Sequence, residues 1–232
     1  MEETIQISYR FCGPPNSGNG GYVCGMLDRY TDYLSEVTLR KPIPLDKELN
    51  VRSEIDQFQL IDGEALIAIA KPGQLDLSVP KAPSFLEAAA AAKSFIGHDG
   101  KHVFPTCFVC GPDRHSGDGL RIFAGNVEGT DLFAAPWIPD SSLADETGHI
   151  GEEFLWAALD CPGAFAVMGD AMKKIVLGRM TAQISGTIKA GAQCVVIAWT
   201  LGSEGRKSYC GTAIYNEQQE LCAAAKSVWF EI

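Results

Sequence analysis

The chain carries an internal repeat. Gly21-Tyr-Val-Cys-Gly-Met-Leu-Asp28 and Glu153-Phe-Leu-Trp-Ala-Ala-Leu-Asp160 lie 132 residues apart. Past the first residue they align as aromatic, aliphatic, apolar, small, apolar, Leu, Asp. A run that is apolar on every side suits a buried helix better than a surface one. Two copies of one unit in 232 residues leave each copy too small to cover its own helix. The repeat therefore predicts two halves that bury their helices against each other.

A β-rich region follows each run. In the first half it comprises Val37–Leu45, Leu49–Ile55 and Ala65–Ala70, with Asp62-Gly63 as a hairpin signal between the last two. In the second half the strands are Thr181–Ile188, Cys194–Leu201, Tyr209–Tyr215 and Leu221–Phe230. Gly202–Gly205 and Asn216–Gln219 read as their turns. Ile43–Leu49 loosely resembles Ile188–Cys194 at a shift of 145, which predicts an insertion between helix and sheet in the second half. Pro80-Lys-Ala-Pro83, an alanine-rich stretch and Gly97–Lys101 read as a connector. The division is a first unit at 1–82, a connector at 83–105 and a second unit at 106–232.

Composition removes several classes of function. Nineteen Lys+Arg against 29 Asp+Glu give a net charge of −10, which disfavours nucleic acid and a polybasic membrane anchor. No eighteen-residue apolar stretch predicts a membrane span, and the acidic start lacks the apolar core of a secretion signal. Eight cysteines without an export signal then read as reduced thiols in the cytoplasm.

Three features carry a family resemblance. Asn19-Gly20-Gly21, with Asp28 nine residues after Asn19, is similar to a His-Gly-Gly helix start with a downstream acid. Leu39-Arg-Lys-Pro-Ile-Pro-Leu45 resembles an Arg-Pro-x-Pro strand. Cys107-Phe-Val-Cys-Gly111 with Gly119-Leu-Arg-Ile-Phe123 completes the likeness. Together they resemble the hotdog-fold thioesterase superfamily in its double-hotdog form. The resemblance implies an α+β fold, with two tandem copies of an antiparallel sheet wrapped around a long central helix. It implies acyl-CoA thioester hydrolysis, with a non-catalytic acyl or small-ligand binding protein as the alternative. A homodimer of double hotdogs belongs to the same expectation. Two departures stand out: Asn19 replaces the family's histidine, and the second half reads Gly151-Glu152-Glu153 where the first has Gly-Gly.

Thioester hydrolysis needs donors for a developing oxyanion and a carboxylate that acts as base or nucleophile. Free amides at a helix N-terminus supply the first, and glycine lets a carbonyl come close. Gly20 and Gly21 meet that need, with Asn19 offering a side-chain amide; Glu152 and Glu153 would repel an oxyanion. Asp28 and Asp160 each sit about two turns along a buried helix, where burial raises a carboxyl's pKa. In related thioesterases the acid and the Gly-Gly amides meet across the two-fold. Carried over, Asp160 faces Asn19-Gly20-Gly21, while Asp28 faces Glu152-Glu153 in a decayed second site. Lys173, Lys174 and Arg179 are candidates for CoA phosphates, competing with a solvated basic face, and Trp156 for an acyl-pocket wall.

His102-x4-Cys107-x2-Cys110-x4-His115 comes near the spacing of a zinc site, but the second pair lacks the usual longer loop. The expectation is therefore no metal and no cofactor. There is no Gly-x-Ser-x-Gly elbow. Tyr33 and Phe165 occupy the positions where hotdog hydratases carry a histidine after the acid, which counts against a hydratase.

Overall fold

A computed structural model of the chain describes residues 3–232. The first half contributes strands β1 (Glu3–Gln6), β2 (Ser35–Leu39), β3 (Glu48–Glu54), β4 (Gln57–Asp62) and β5 (Ala65–Pro72). The second contributes β6 (Gly125–Asn126), β7 (Phe133–Trp137), β8 (Ile175–Ile184), β9 (Cys194–Glu204), β10 (Lys207–Tyr215) and β11 (Leu221–Glu231). All join one antiparallel sheet in the order β1-β3-β4-β5-β2-β8-β11-β10-β9-β7-β6.

The sheet explains the repeat. Counted outward from the β2–β8 seam, the first half runs β2-β5-β4-β3-β1 and the second β8-β11-β10-β9-β7. Each half is the same meander. At the seam Glu36 pairs with Thr181, Val37 with Met180 and Thr38 with Arg179, a register centred on Val37 and Met180. Both central side chains are fully buried.

The helices differ from the expected pair of long ones. Helix α1 covers nine residues, Gly20–Asp28. Helix α2, Phe85–Ala91, lies in the connector and starts with a capping box between Ser84 and Glu87. The second apolar run splits into α3 (Glu152–Ala158) and α4 (Cys161–Met168), with Asp160 at the break. Pro162, in the first turn of α4, causes the split. It has no amide to continue the ladder, and its ring clashes with the carbonyl four residues back. The predicted insertion is visible here: Ser35 follows Asp28 by seven residues, whereas Ile175 follows Asp160 by fifteen, and α4 occupies the difference.

Helices α1 and α3 cross at close range because Gly21 and Gly25 share one face of α1. A Cβ at Gly21 would stand 2.7 Å from the Trp156 carbonyl oxygen, and one at Gly25 2.7 Å from Glu153 Cα. Leu27, Leu155, Leu159 and Met180 are buried around this crossing. Each such side chain contributes roughly 1.5–3 kcal/mol.

Several strands depart from expectation. Strand β4 interposes between the two that Asp62-Gly63 was expected to join. It closes one hairpin at Asp56, with φ of 56°, and another at Gly63, with φ of 59°. Gln57 and Gln59 weaken its apolar signal. Strand β8 begins at Ile175 rather than Thr181. Strands β1 and β7 were not anticipated. β7 contains Pro136, which the short β6 leaves on an edge where no ladder amide is required. Among the described residues no helix is long and apolar enough to cross a membrane.

Candidate active site

Asn19 caps α1: its Oδ1 accepts the Tyr22 amide at 2.9 Å. The same side chain turns its Nδ2 to Asp160, donating to Oδ2 at 2.8 Å. The Gly21 amide donates to that Oδ2 at 3.0 Å. One carboxylate oxygen of Asp160 is thus clamped by the N-terminus of α1, 139 residues away in sequence. The other, Oδ1, is buried without a partner. Asp160 is only 2% exposed. Burial pushes its carboxyl up to about 7. The Gly21 amide and the Asn19 side chain pull against that rise, and the nearby Cys107 adds to it. A carboxyl poised there can take and return a proton near neutrality.

The helix break sets this geometry. Asp160 has φ of −75° and ψ of −82°, outside the helical range, so its side chain leaves the α3 stripe and meets α1. Gly21 is needed for a different reason from the one its sequence suggests. A Cβ there would lie 2.5 Å from the Asp160 Cβ, and its amide is engaged by Asp160. Gly20 carries the first amide of α1, which has no acceptor within the helix, and it lines the neighbouring cavity.

That cavity has a volume of about 630 Å³. Asn19, Gly20 and Asp160 form one part of its wall, and Ala164, Phe165, Met168, Ile175, Leu177 and Trp229 form an apolar part. Three exposed cations, Arg40, Lys41 and Lys173, also border it. Arg40 and Lys41 were missed from the sequence, although they lie inside the Leu39–Leu45 stretch that carried part of the resemblance.

The remaining candidates fall elsewhere. Lys174 is exposed and does not line the cavity. Arg179 points to Glu36, 3.5 Å away across the β2–β8 seam. Trp156 is fully buried against Gly25 in the α1–α3 crossing and lines no cavity wall. Asp28 is half-buried and accepts from Ser35 Oγ at 2.5 Å and Thr31 Oγ1 at 3.3 Å, both in its own half. Burial raises its carboxyl, while the two hydroxyls and the Trp156 side chain of the other half lower it. No hydrogen bond joins Asp28 to Glu152 or Glu153 among the described residues. Those acids occupy the first turn of α3, where the helix dipole favours negative charge.

A cluster of thiols lies beside Asp160. The sulfurs of Cys107, Cys110 and Cys161 lie within 4.8 Å of one another, all buried and all on the cavity wall. His102 joins them, with Nε2 3.3 Å from Cys110 Sγ. The neighbouring Cys110 and Cys161 thiols hold the Cys107 thiol well below the usual range. His115, the other histidine of the sequence pattern, is exposed and takes no part. No local signal in the sequence pairs Cys161 with residues more than fifty positions away.

No protein-family model matches this chain, and no curated protein does. Solved structures do. The chain is similar to a tesB protein of Mycobacterium avium subsp. paratuberculosis, at 13% identity and a TM-score of 0.62, over 99% of this chain and 92% of that one. It is also similar to the Escherichia coli PaaI protein of the phenylacetic acid degradation operon, at 14% identity and a TM-score of 0.47, over 65% and 96%. A third is smu.793 of Streptococcus mutans, bound to acetyl CoA, at 10% identity and a TM-score of 0.40, over 44% and 82%.

Proposed function

We propose that this chain, whose fold is that of the hotdog thioesterase proteins, hydrolyses acyl-CoA thioesters as a tandem double hotdog. Its two units span 1–82 and 106–232, joined by the connector 83–105. The observation that carries the reading is Asp160. One oxygen is fixed by Gly21 and Asn19, the other is buried without a partner, and the residue lines an apolar cavity. A buried acceptor without a partner costs about 1–3 kcal/mol, so a group left that way is poised for an incoming one.

In this reaction the acyl chain occupies the apolar part of the cavity and the thioester carbonyl meets the Gly20 amide. Asp160 acts through Oδ1. As base, it takes a proton from water while the water oxygen attacks the carbonyl carbon. As nucleophile, it attacks that carbon itself and water then cleaves the anhydride. In either route the Gly20 amide stabilises the oxyanion and the carbon–sulfur bond breaks; the departing thiolate takes its proton from Asp160 in the base route and from water in the nucleophile route. Asn19 is a positioning residue, since its amide holds Asp160. Lys41, Lys173 and Arg40 suit the phosphates of CoA, which gives an acidic chain a local cationic border. The reading places the protein in the cytoplasm, where its eight free thiols stay reduced and acyl-CoA is met. Pairing of two chains into a homodimer belongs to the same reading.

The test is release of free thiol over a panel of acyl-CoA esters. Asp160→Asn should lower kcat about 10²–10⁴-fold, whereas Asp28→Asn should keep most activity. Equal losses in the two variants would overturn the single-site reading. Acyl ligand retained in native mass spectrometry without turnover of any ester would replace it with a non-catalytic binder.

A further inference from the structure

The thiol cluster has no part in that reaction, and its geometry is that of a ligand set. A tetrahedral metal with metal–sulfur bonds of about 2.3 Å places its thiolates roughly 3.8 Å apart. Cys107 Sγ and Cys161 Sγ are 3.6 Å apart, and Cys110 Sγ lies within 4.8 Å of both. The separations are near those of ligands around a common ion. The three sulfurs come from two distant segments. Cys107 and Cys110 lie in the loop after the connector, and Cys161 opens α4. The Cys107–Cys110 turn is tight. The Gly111 amide donates to the Cys107 carbonyl at 2.9 Å, and a Cβ at Gly111 would lie 2.5 Å from that oxygen.

His102 is the natural fourth candidate, but its other nitrogen argues otherwise. The Phe104 amide donates to Nδ1 at 2.9 Å. A backbone amide can only donate, so Nδ1 holds the lone pair and the proton of the neutral ring sits on Nε2. Nε2 therefore donates to Cys110 Sγ, 3.3 Å away, rather than offering a lone pair to a metal. A charged sulfur held by such a bond keeps its orientation, the role that outer hydrogen bonds play around metal ligands.

We infer that Cys107, Cys110 and Cys161 form a zinc site, oriented by His102, whose fourth corner opens into the acyl cavity. Soft thiolates select zinc over harder divalent ions, and three protein ligands with one open corner is a recurrent zinc arrangement. Binding converts the three sulfurs to thiolates, releases any protons they still carry, and leaves the fourth position to water. The ion ties the loop after the connector to the start of α4, next to Asp160. The inference holds whether or not the cavity turns over thioesters, because its readout is metal content.

Elemental analysis of the full chain, purified without an affinity tag or chelator, should find about one zinc per chain. Cys110→Ser and Cys161→Ser should each lose it, while His115→Ala and His102→Ala retain it. Replacement by cobalt should give thiolate-to-cobalt charge-transfer absorption and the visible bands of a tetrahedral ion, a readout that needs no variant to fold. Metal-free protein with three alkylatable thiols, or a disulfide among the three, overturns the site. So does zinc that survives both serine substitutions. Zinc lost as fully from His102→Ala as from Cys110→Ser overturns the open corner, because His102 would then be a ligand.

Discussion

Both ends of the Asn19 amide are engaged. Oδ1 caps α1 and Nδ2 holds Asp160, so one substitution can separate the two roles. Serine keeps a capping oxygen but has no donor that reaches Asp160, whereas alanine has neither. Asn19→Ala should therefore cost about 0.5–2 kcal/mol of stability, and Asn19→Ser only a small part of that. Hydrolysis should fall in both. Urea unfolding and kcat measured on the same preparations check this, and a serine variant with full activity would remove Asn19 from the positioning of Asp160. At this scale the sequence was informative about identity and poor about partners. Asp160 and Asn19-Gly20-Gly21 stood out from the repeat and the resemblance. The division of labour did not, because a glycine that admits a substrate and one that admits a neighbouring helix look alike in sequence. Gly21 is the second kind, and Gly20 faces the cavity.

Helix α1 is short, and its value lies in two glycines four residues apart that bring α3 against it. Gly21→Ala places a methyl against the Trp156 carbonyl and Asp160 Cβ, neither of which is the far end of a flexible side chain. Alanine's helix propensity returns up to about 1 kcal/mol, but overpacking at a rigid contact costs about 1–3 kcal/mol. The variant should be less stable, with a lower urea midpoint, and less active because Asp160 is displaced. An unchanged midpoint with full activity would mean that α1 and α3 separate easily. The second apolar run read as one helix because Asp160 is the one charged residue from Phe154 to Met168. Pro162 was the overlooked signal. It breaks the ladder, and the break turns Asp160 toward α1. The insertion inferred from the change of repeat shift is the element that results, α4.

The whole molecule is one sheet with a seam at β2 and β8, and one apolar core spans both halves. Residues 1–82 alone would expose β2 as an edge and leave Gly21, Tyr22 and Gly25 of α1 without α3. That fragment should show no cooperative thermal transition by circular dichroism, while the full chain shows one. A cooperative transition in the isolated fragment would mean that each half is self-sufficient.

The 132-residue repeat determined the two like halves, the α+β content and the acid in each half, because periodic apolar patterns and matched residues are local properties of a sequence. Tertiary structure alone decided which acid is clamped, which glycine is open, and that Cys161 joins Cys107 and Cys110. Those facts rest on contacts between residues 51 to 141 positions apart, fixed by how α1 packs on α3 and where Pro162 bends the chain. Such contacts leave no periodic trace. The asymmetry between Asp28 and Asp160 has the same origin: two residues equivalent in the repeat are held by different neighbours, Ser35 and Thr31 for one and Asn19 and Gly21 for the other.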